Sequence, residues 1–266
     1  MRKAIAVLAV VIGITFTVPV QKSNAGGISL SLSPEIGLVN YSLKDFGDSL
    51  TAWGGMEKGH NFLEFGGSAK LRVGLTEDFG IYGKMGGAYA SKTNPVYKTE
   101  SYSNAYYSEE VAITGDVKFT MLNANLSVGV SQHISALLPE GLEAHGEFRA
   151  GAALSKIALD DQITYTVDYE GTIYTNTYVE QWKISGIGFN WAVSCGGEFY
   201  LTKILFFGID GEYHGGTISE LTTESYLIDG AAVPNGPTGP VKYSSGENAT
   251  LGLSGFAIKG KLGVRF

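Results

Sequence analysis

The chain has 266 residues, with 37 glycines, 15 tyrosines, 13 phenylalanines, one cysteine and a formal net charge of −7. An acidic chain of this kind makes no partner for nucleic acid, and the lone Cys195 excludes an internal disulfide. High glycine and aromatic content with only 4 methionines suits many strands whose faces need small side chains and interface aromatics.

Arg2 and Lys3 form a basic n-region, Ala4 to Phe16 an apolar h-region, and Ser23-Asn24-Ala25 a small-x-small cleavage site. Residues 1–25 therefore read as a secretory signal peptide, and the mature chain is expected to begin at Gly26. A membrane-anchoring helix is the alternative, but the stretch is short for a span and ends in polar QKSNA. No cysteine follows the h-region as a lipid anchor would need. Removing Arg2, Lys3 and Lys22 leaves 16 basic against 26 acidic residues, a net −10. No later apolar run reaches the length of a transmembrane helix.

Eight strands are predicted, each with the period of two that sends successive side chains to opposite faces. The first, Ile28–Leu43, has Leu30, Leu32, Ile36 and Leu38 on one face and Ser29, Ser31, Ser33 and Glu35 on the other. The second, Asn61–Leu75, sends Leu63, Phe65, Leu71 and Val73 one way and Glu64, Ser68, Lys70 and Arg72 the other, before a tight turn at Thr76-Glu77-Asp78. The third, Gly80–Ser91, opposes Ile81, Met85 and Tyr89 to Lys84. The fourth, Val111–Ile134, slips in alternation around Met121-Leu122, where a bulge is expected. Pro139-Glu140-Gly141 turns into the fifth, Leu142–Leu154, with Glu143, His145, Glu147 and Arg149 on its polar face. The sixth, Ile187–Leu201, has Phe189, Trp191, Val193 and Phe199 against Asn190, Ser194 and Glu198. After Thr202-Lys203 the seventh, Leu205–Gly215, sets Leu205, Phe207, Ile209 and Tyr213 against Asp210, Glu212 and His214. The last, Thr250–Phe266, sets Phe256, Ile258, Leu262, Val264 and Phe266 against Lys259, Lys261 and Arg265.

A soluble β-sandwich would give the same alternation. The export signal and the terminal aromatic decide for an all-β, antiparallel, up-and-down transmembrane barrel with lipid outside and charge inside. Connections alternate between short, around 77, 139 and 202, and long, around 44–60, 92–110, 156–186 and 216–249. The long ones are expected outside the cell as four loops, with both termini in the periplasm. Ten strands result if Ile163–Trp182 is a spanning hairpin turning at Glu170-Gly171. Its Tyr and Thr content instead points to a β-extension above the membrane. The Gly/Pro-rich stretch GAAVPNGPTGPVKYSSGENA is expected to be mobile.

The segment GFNWAVSCGGEFYLTKILFFGIDGEYH, 188–214, resembles the paired strands of the OmpA-like and OmpX-like small outer-membrane barrels, and SGFAIKGKLGVRF, 254–266, resembles their last strand. The resemblance covers the mature length in pattern and only these segments in specific residues. It implies the fold and location in the bacterial outer membrane. It also implies that Phe266 is the signal read by the barrel-assembly machinery. It says little of activity, because the superfamily holds anchors, adhesins, invasion-related proteins and a few enzymes. No peptidoglycan-binding domain is expected after Phe266.

The inward charges are the main site candidates. Asp210 and Glu212 should lie level with Lys261 and Lys259, with Glu35 approaching Lys259 from the other side. Lys70, Arg72 and Lys84 should face Glu143, Glu147 and Glu198. Glu64, Arg149 and Arg265 complete the set. An eight-stranded barrel is just wide enough for side chains to fill, and charges there must be paired. A salt-bridged plug is expected, against a narrow gated path for ions or small solutes. Of the histidines, His133 with Ser135 superficially resembles the His-x-Ser of lipid A deacylases but falls at the periplasmic end. His214 has Glu212 beside it but no nucleophile. His60 and His145 add no metal spacing. No cofactor or metal is expected. Tyr97, Tyr102, Tyr106 and Tyr107 crowd one outer connection, and Tyr165, Tyr169, Tyr174 and Tyr178 another. They suit equally a protein or glycan surface and membrane-interface aromatics. The expected role is non-enzymatic: envelope structure or loop-mediated binding, in contact with outer-membrane lipid including lipopolysaccharide. A narrow channel is the alternative, and an enzyme acting on outer-leaflet lipid the third reading.

Overall fold

Alternation of apolar and polar side chains carries the whole architecture. In the computed structural model, residues 27–41, 60–103, 108–134, 138–169, 171–234, 236–242 and 246–266 are described. The signal segment 1–25 and nearly all of the first long connection lie outside them. The strands are β1 Ile28–Tyr41, β2 His60–Gly74, β3 Phe79–Ser103, β4 Ser108–Ile134, β5 Leu142–Tyr169, β6 Thr172–Tyr200, β7 Leu205–Ile218, β8 Thr222–Ile228, β9 Ala231–Ala232, β10 Gly239–Pro240, β11 Leu251–Gly252 and β12 Gly255–Arg265. Sequential antiparallel pairing runs from β1 to β7. β12 then pairs both β7 and β1, which closes a ring of eight. Phe266 exchanges two backbone hydrogen bonds with Leu30, at 2.9 and 3.0 Å, at that seam. A closed ring leaves no strand edge inside the membrane.

Around the ring the outward positions are apolar and solvent-exposed: Leu38, Phe65, Met85, Val128, Phe148, Phe189, Val193, Ile209 and Ile258 among them. The inward positions are charged and buried, as with Glu64, Arg149, Glu198 and Glu212. A soluble protein cannot sustain this inside-out arrangement. Lipid outside makes it stable, and the molecule is a transmembrane β-barrel of the outer-membrane type. The connections at 75–78, 138–141 and 201–204, with Gly27 and Phe266, mark one end of the barrel. Short connections of this kind are the ones outer-membrane barrels place in the periplasm, and this end is called periplasmic on that basis.

At the other end strands continue where long loops were expected. β3 and β4 pair from Phe79–Gln132 out to Ser103–Ser108. β5 and β6 pair from Leu142–Phe199 out to Tyr169–Thr172. The segment 163–182 is thus an extension of β5 and β6 above the membrane, turning at Gly171 with φ +80°. Two expectations are corrected here. β4 pairs without interruption through Met121 and Leu122 on both sides, so it has no bulge there. The last long connection is not a free loop. It carries β8 to β11, with β8 docked on β6 and β11 on β7, and buries Leu221, Ala249, Leu251 and Leu253.

That connection completes a roof. Val39, Phe62, Ala90, Phe119, Met121, Ile157, Ile184, Ile218 and Ala257 point inward from all eight ring strands and form one cluster with Leu221, Leu251 and Leu253. The apparent slip at Met121-Leu122 has its cause here. Leu122 is the last lipid-facing residue of β4 and Met121 is a roof residue, so two adjacent apolar side chains serve opposite faces. Just past this point Lys118, Lys156 and Lys183 face outward above the apolar belt, while their neighbours Val117, Ile157 and Ile184 face in.

Candidate functional site

Register brings the fourteen predicted inward charges, seven acidic and seven basic, into a stack filling the lumen below the roof. At the periplasmic end Arg265 pairs with Glu198 and, at 3.0 Å, with Glu143, and its guanidinium also donates to the Tyr200 hydroxyl. His133 Nδ1 lies 3.5 Å from Glu143. In the middle Lys261 bridges Glu198 at 2.8 Å and Asp210 at 3.0 Å, Lys70 pairs with Glu147, and His145 Nε2 approaches Asp210 to 3.1 Å. Under the roof Glu212 accepts from Arg149 at 2.8 Å and faces Lys259 at 3.4 Å. Lys259 continues to Glu64 at 3.6 Å, which accepts from the Tyr41 hydroxyl at 2.7 Å. Lys84 pairs with Glu35 at 3.3 Å, and Ser68 donates to the same carboxylate. The inward glycine Gly208 makes room for the Lys261 stem: a β-carbon there would sit 2.5 Å from Lys261 Cε.

Three expected pairings are redistributed. Glu35 bridges Lys84 rather than Lys259, because the β1–β12 register sets Gly37, not Glu35, opposite Lys259, and Lys259 extends to Glu64. Among Lys70, Arg72 and Lys84, only Lys70 reaches one of the three carboxylates expected to face them. Arg72 Nε donates to Ser131 Oγ at 3.0 Å and its Nη2 to the Asp78 carbonyl. His214, near the roof, has Glu212 at 3.7 Å and its ring on Tyr41 at 5.2 Å between centroids. His133 is buried in the lumen at the periplasmic end, its ring 5.9 Å from that of His145. His60 begins β2. Among the described residues no group of three His, Cys, Asp or Glu is arranged to hold a metal.

Between the charges and the roof lies a cavity of about 70 Å³, bordered by Glu35, Tyr41, Glu64, Asn123, Glu212 and Leu253. It has room for a few waters. Equal numbers of opposite charges give these fourteen residues no formal net charge, and their geometry meets the requirement that buried charge be paired.

Sequence reasoning missed the roof, because a strand's period does not say where lipid ends. It also missed that some extracellular aromatics gather on one face. Tyr165 and Tyr178 stack at 5.3 Å between centroids, and Trp182 packs on Tyr226 at 4.2 Å. Tyr97, Tyr169 and Tyr174 are exposed on the same protruding strands. Tyr106 and Tyr107, and the side chain of Tyr102, lie outside the described residues.

No family model matches the sequence, and no curated protein does. Among solved structures, the attachment invasion locus protein Ail of Yersinia pestis is similar over 91% of this chain and 99% of its own, at 14% identity and a TM-score of 0.33. Neisserial surface protein A is similar over 91% and 98%, at 11% identity and a TM-score of 0.33. A major outer membrane protein of Thermus thermophilus is similar over 89% and 99%, at 14% identity and a TM-score of 0.38. Likenesses of this size carry no weight for function, and the barrel stands on its own closed register.

Proposed function

We propose that this chain is a non-enzymatic surface protein of the bacterial outer membrane, a closed barrel that holds ordered β-structure above the outer leaflet for binding. One observation carries the reading: a mutually paired charge stack fills the lumen, and an apolar roof contributed by all eight ring strands lies over it. A barrel built for conduction would not close its mouth with Leu221, Leu251 and Leu253. The strands that continue for roughly fifteen residues beyond the belt put their rigid surface outside, where a binding function needs it. Among the described residues His214 faces Glu212 and the Tyr41 ring, with no Ser or Cys contact, and His133 lies at the far end, which favours a non-catalytic barrel. Lipid of the outer membrane is the partner of the apolar belt. Outward Lys118, Lys156 and Lys183 sit where the phosphates of lipopolysaccharide would meet them. Phe266, paired to Leu30, is the residue offered to the assembly machinery. No nucleic acid and no cofactor enter this reading.

Planar-bilayer recording of the refolded full-length protein tests it. The expected result is a closed barrel with at most rare, brief openings. Steady conductance in the wild-type protein would put the narrow-channel reading in its place.

A further inference from the structure

The protruding sheet has an inner face whose residues continue the inward parity of the barrel. On it Asp161 of β5 and Glu180 of β6 are register partners. Like charges directly opposite on neighbouring strands repel, and ordinarily a cation intervenes. Here none does: among the described residues neither carboxylate forms an ion pair, Lys118, Lys156 and Lys183 point to the opposite face of the sheet, and the inward Lys92 of β3 lies two strands away from Asp161. Asp161 is only 2% exposed, and its Oδ1 has no hydrogen-bond partner among the described residues. A buried carboxylate without a partner is costly, so the feature calls for a ligand.

Its surroundings say which. Glu180 lies between Tyr178 and Trp182 on the same face of β6, and the Trp182 indole N–H points to Glu180 at 3.5 Å. Tyr165 stacks on Tyr178, and its hydroxyl accepts from the Tyr178 hydroxyl at 2.7 Å. Tyr226 of β8 covers Trp182. Four half-buried rings therefore border two carboxylates. Aromatic faces attract cations, and cages of such rings bind ammonium groups. Two carboxylates supply too few oxygens for calcium, which takes six to eight. A neutral sugar ring can rest on the aromatics but brings no charge to offset two carboxylates. A long flexible cation does both: its stem lies along the rings while its head meets the carboxylates.

We propose that Asp161 and Glu180, ringed by Tyr165, Tyr178, Trp182 and Tyr226, form an extracellular site for a lysine or arginine side chain presented by a partner polypeptide. The inference rests on the reading of the molecule as a closed surface barrel and gives that binding surface its chemistry. The cation neutralises the facing carboxylates, and the rings shed water onto its stem. Flanking chain of the partner lies on the exposed strands around Tyr169 and Tyr174.

The test titrates refolded full-length protein in micelles with a capped Gly-Gly-Lys-Gly-Gly peptide and with the same peptide acetylated at the lysine. Trp182 fluorescence is the readout, with Trp182→Phe as the blank. Binding of the first peptide and not the second is expected. Asp161→Asn should weaken it about tenfold or more, the loss of one charge-assisted hydrogen bond, while heat-modifiable mobility shows the barrel still folded. Glu180→Gln should weaken it as well. Equal binding of the acetylated peptide overturns the proposal, as does an unchanged affinity in Asp161→Asn. A neutral oligosaccharide that shifts Trp182 when the lysine peptide does not makes the face a glycan platform instead. Spermidine binding as tightly as the peptide overturns the polypeptide source. All these outcomes concern a closed protein, so they stay separate from the conductance that would unseat the surface-barrel reading.

Discussion

At the scale of single residues, inside and outside alternate within one peptide unit, so adjacent substitutions have opposite meanings. Val193 faces lipid, whereas Ser194 is buried in the lumen between its register partners Glu147 and Glu212. Val193→Arg should cost about 2–4 kcal/mol if it lies near the midplane. Ser194→Arg places its guanidinium among carboxylates and should cost less, so refolding titrations of the two variants give a direct ranking. A larger loss for Ser194→Arg would mean that the assigned faces of β6 are reversed. Glu212 gives the complementary experiment. It holds Arg149 and Lys259 together, and breaking a buried pair by removing one partner costs about 3–5 kcal/mol. Glu212→Lys adds a third cation there and should lower stability by at least that much. Lys259→Glu in the same chain should recover part of the loss, which a double-mutant cycle in urea would measure.

At the scale of elements, the β5–β6 extension carries its own pH signature. Burial, then Glu180 across the strand pair and Asp160 beside it, pushes the Asp161 carboxyl up to about 6. The next residues along the row, Val117 on β4 and Asn94 on β3, are uncharged, and Tyr178 stays neutral in this range. The folded extension keeps its proton to higher pH than the unfolded chain. Between about pH 4 and 6 folding therefore takes up a proton, and local stability falls as pH rises. Hydrogen exchange of amides 162–178, corrected for intrinsic rates, should show more opening at pH 7.5 than at pH 5, and Asp161→Asn should remove the difference. How much of this was legible in the sequence follows the same line. Inside the membrane, lipid fixes which face is apolar, so Lys259, Glu212 and Glu198 could be assigned to the lumen from parity alone. Above the belt no solvent fixes the faces. The strand period persists through Met121-Leu122 while apolar Met121 takes the inward place, and the charge stack appeared one-dimensional until pairing sent Glu35 to Lys84. The roof leucines were hidden for a related reason. Leu221 falls in the last long connection and Leu251 and Leu253 in the predicted last strand, which in the structure begins only at Gly255; they share no period, and only the closed barrel gives them one place to converge.

At the scale of the whole molecule, the charge stack and the roof lie in series along one axis. An ion crossing the lumen must pass both, and the higher barrier sets the current. Removing one seal therefore leaves the other in control. Replacing residues 219–254 with a short Gly-Asn turn between β7 and β12 removes Leu221, Ala249, Leu251 and Leu253 from the roof while leaving the ring strands and the charges in place. That variant alone should stay closed, because Lys259, Glu212 and Arg149 still fill the lumen. Glu212→Lys alone should lose stability yet also stay closed beneath the intact roof. Together they should open the barrel, with unitary conductance rising well above either single variant in planar bilayers. A single variant that conducts as steadily as the double would show that its seal is the only one. A double variant that folds by heat-modifiability and remains closed would mean that the rest of the paired stack, Lys261 with Glu198 and Asp210 and Arg265 with Glu143, suffices to block the lumen without Glu212.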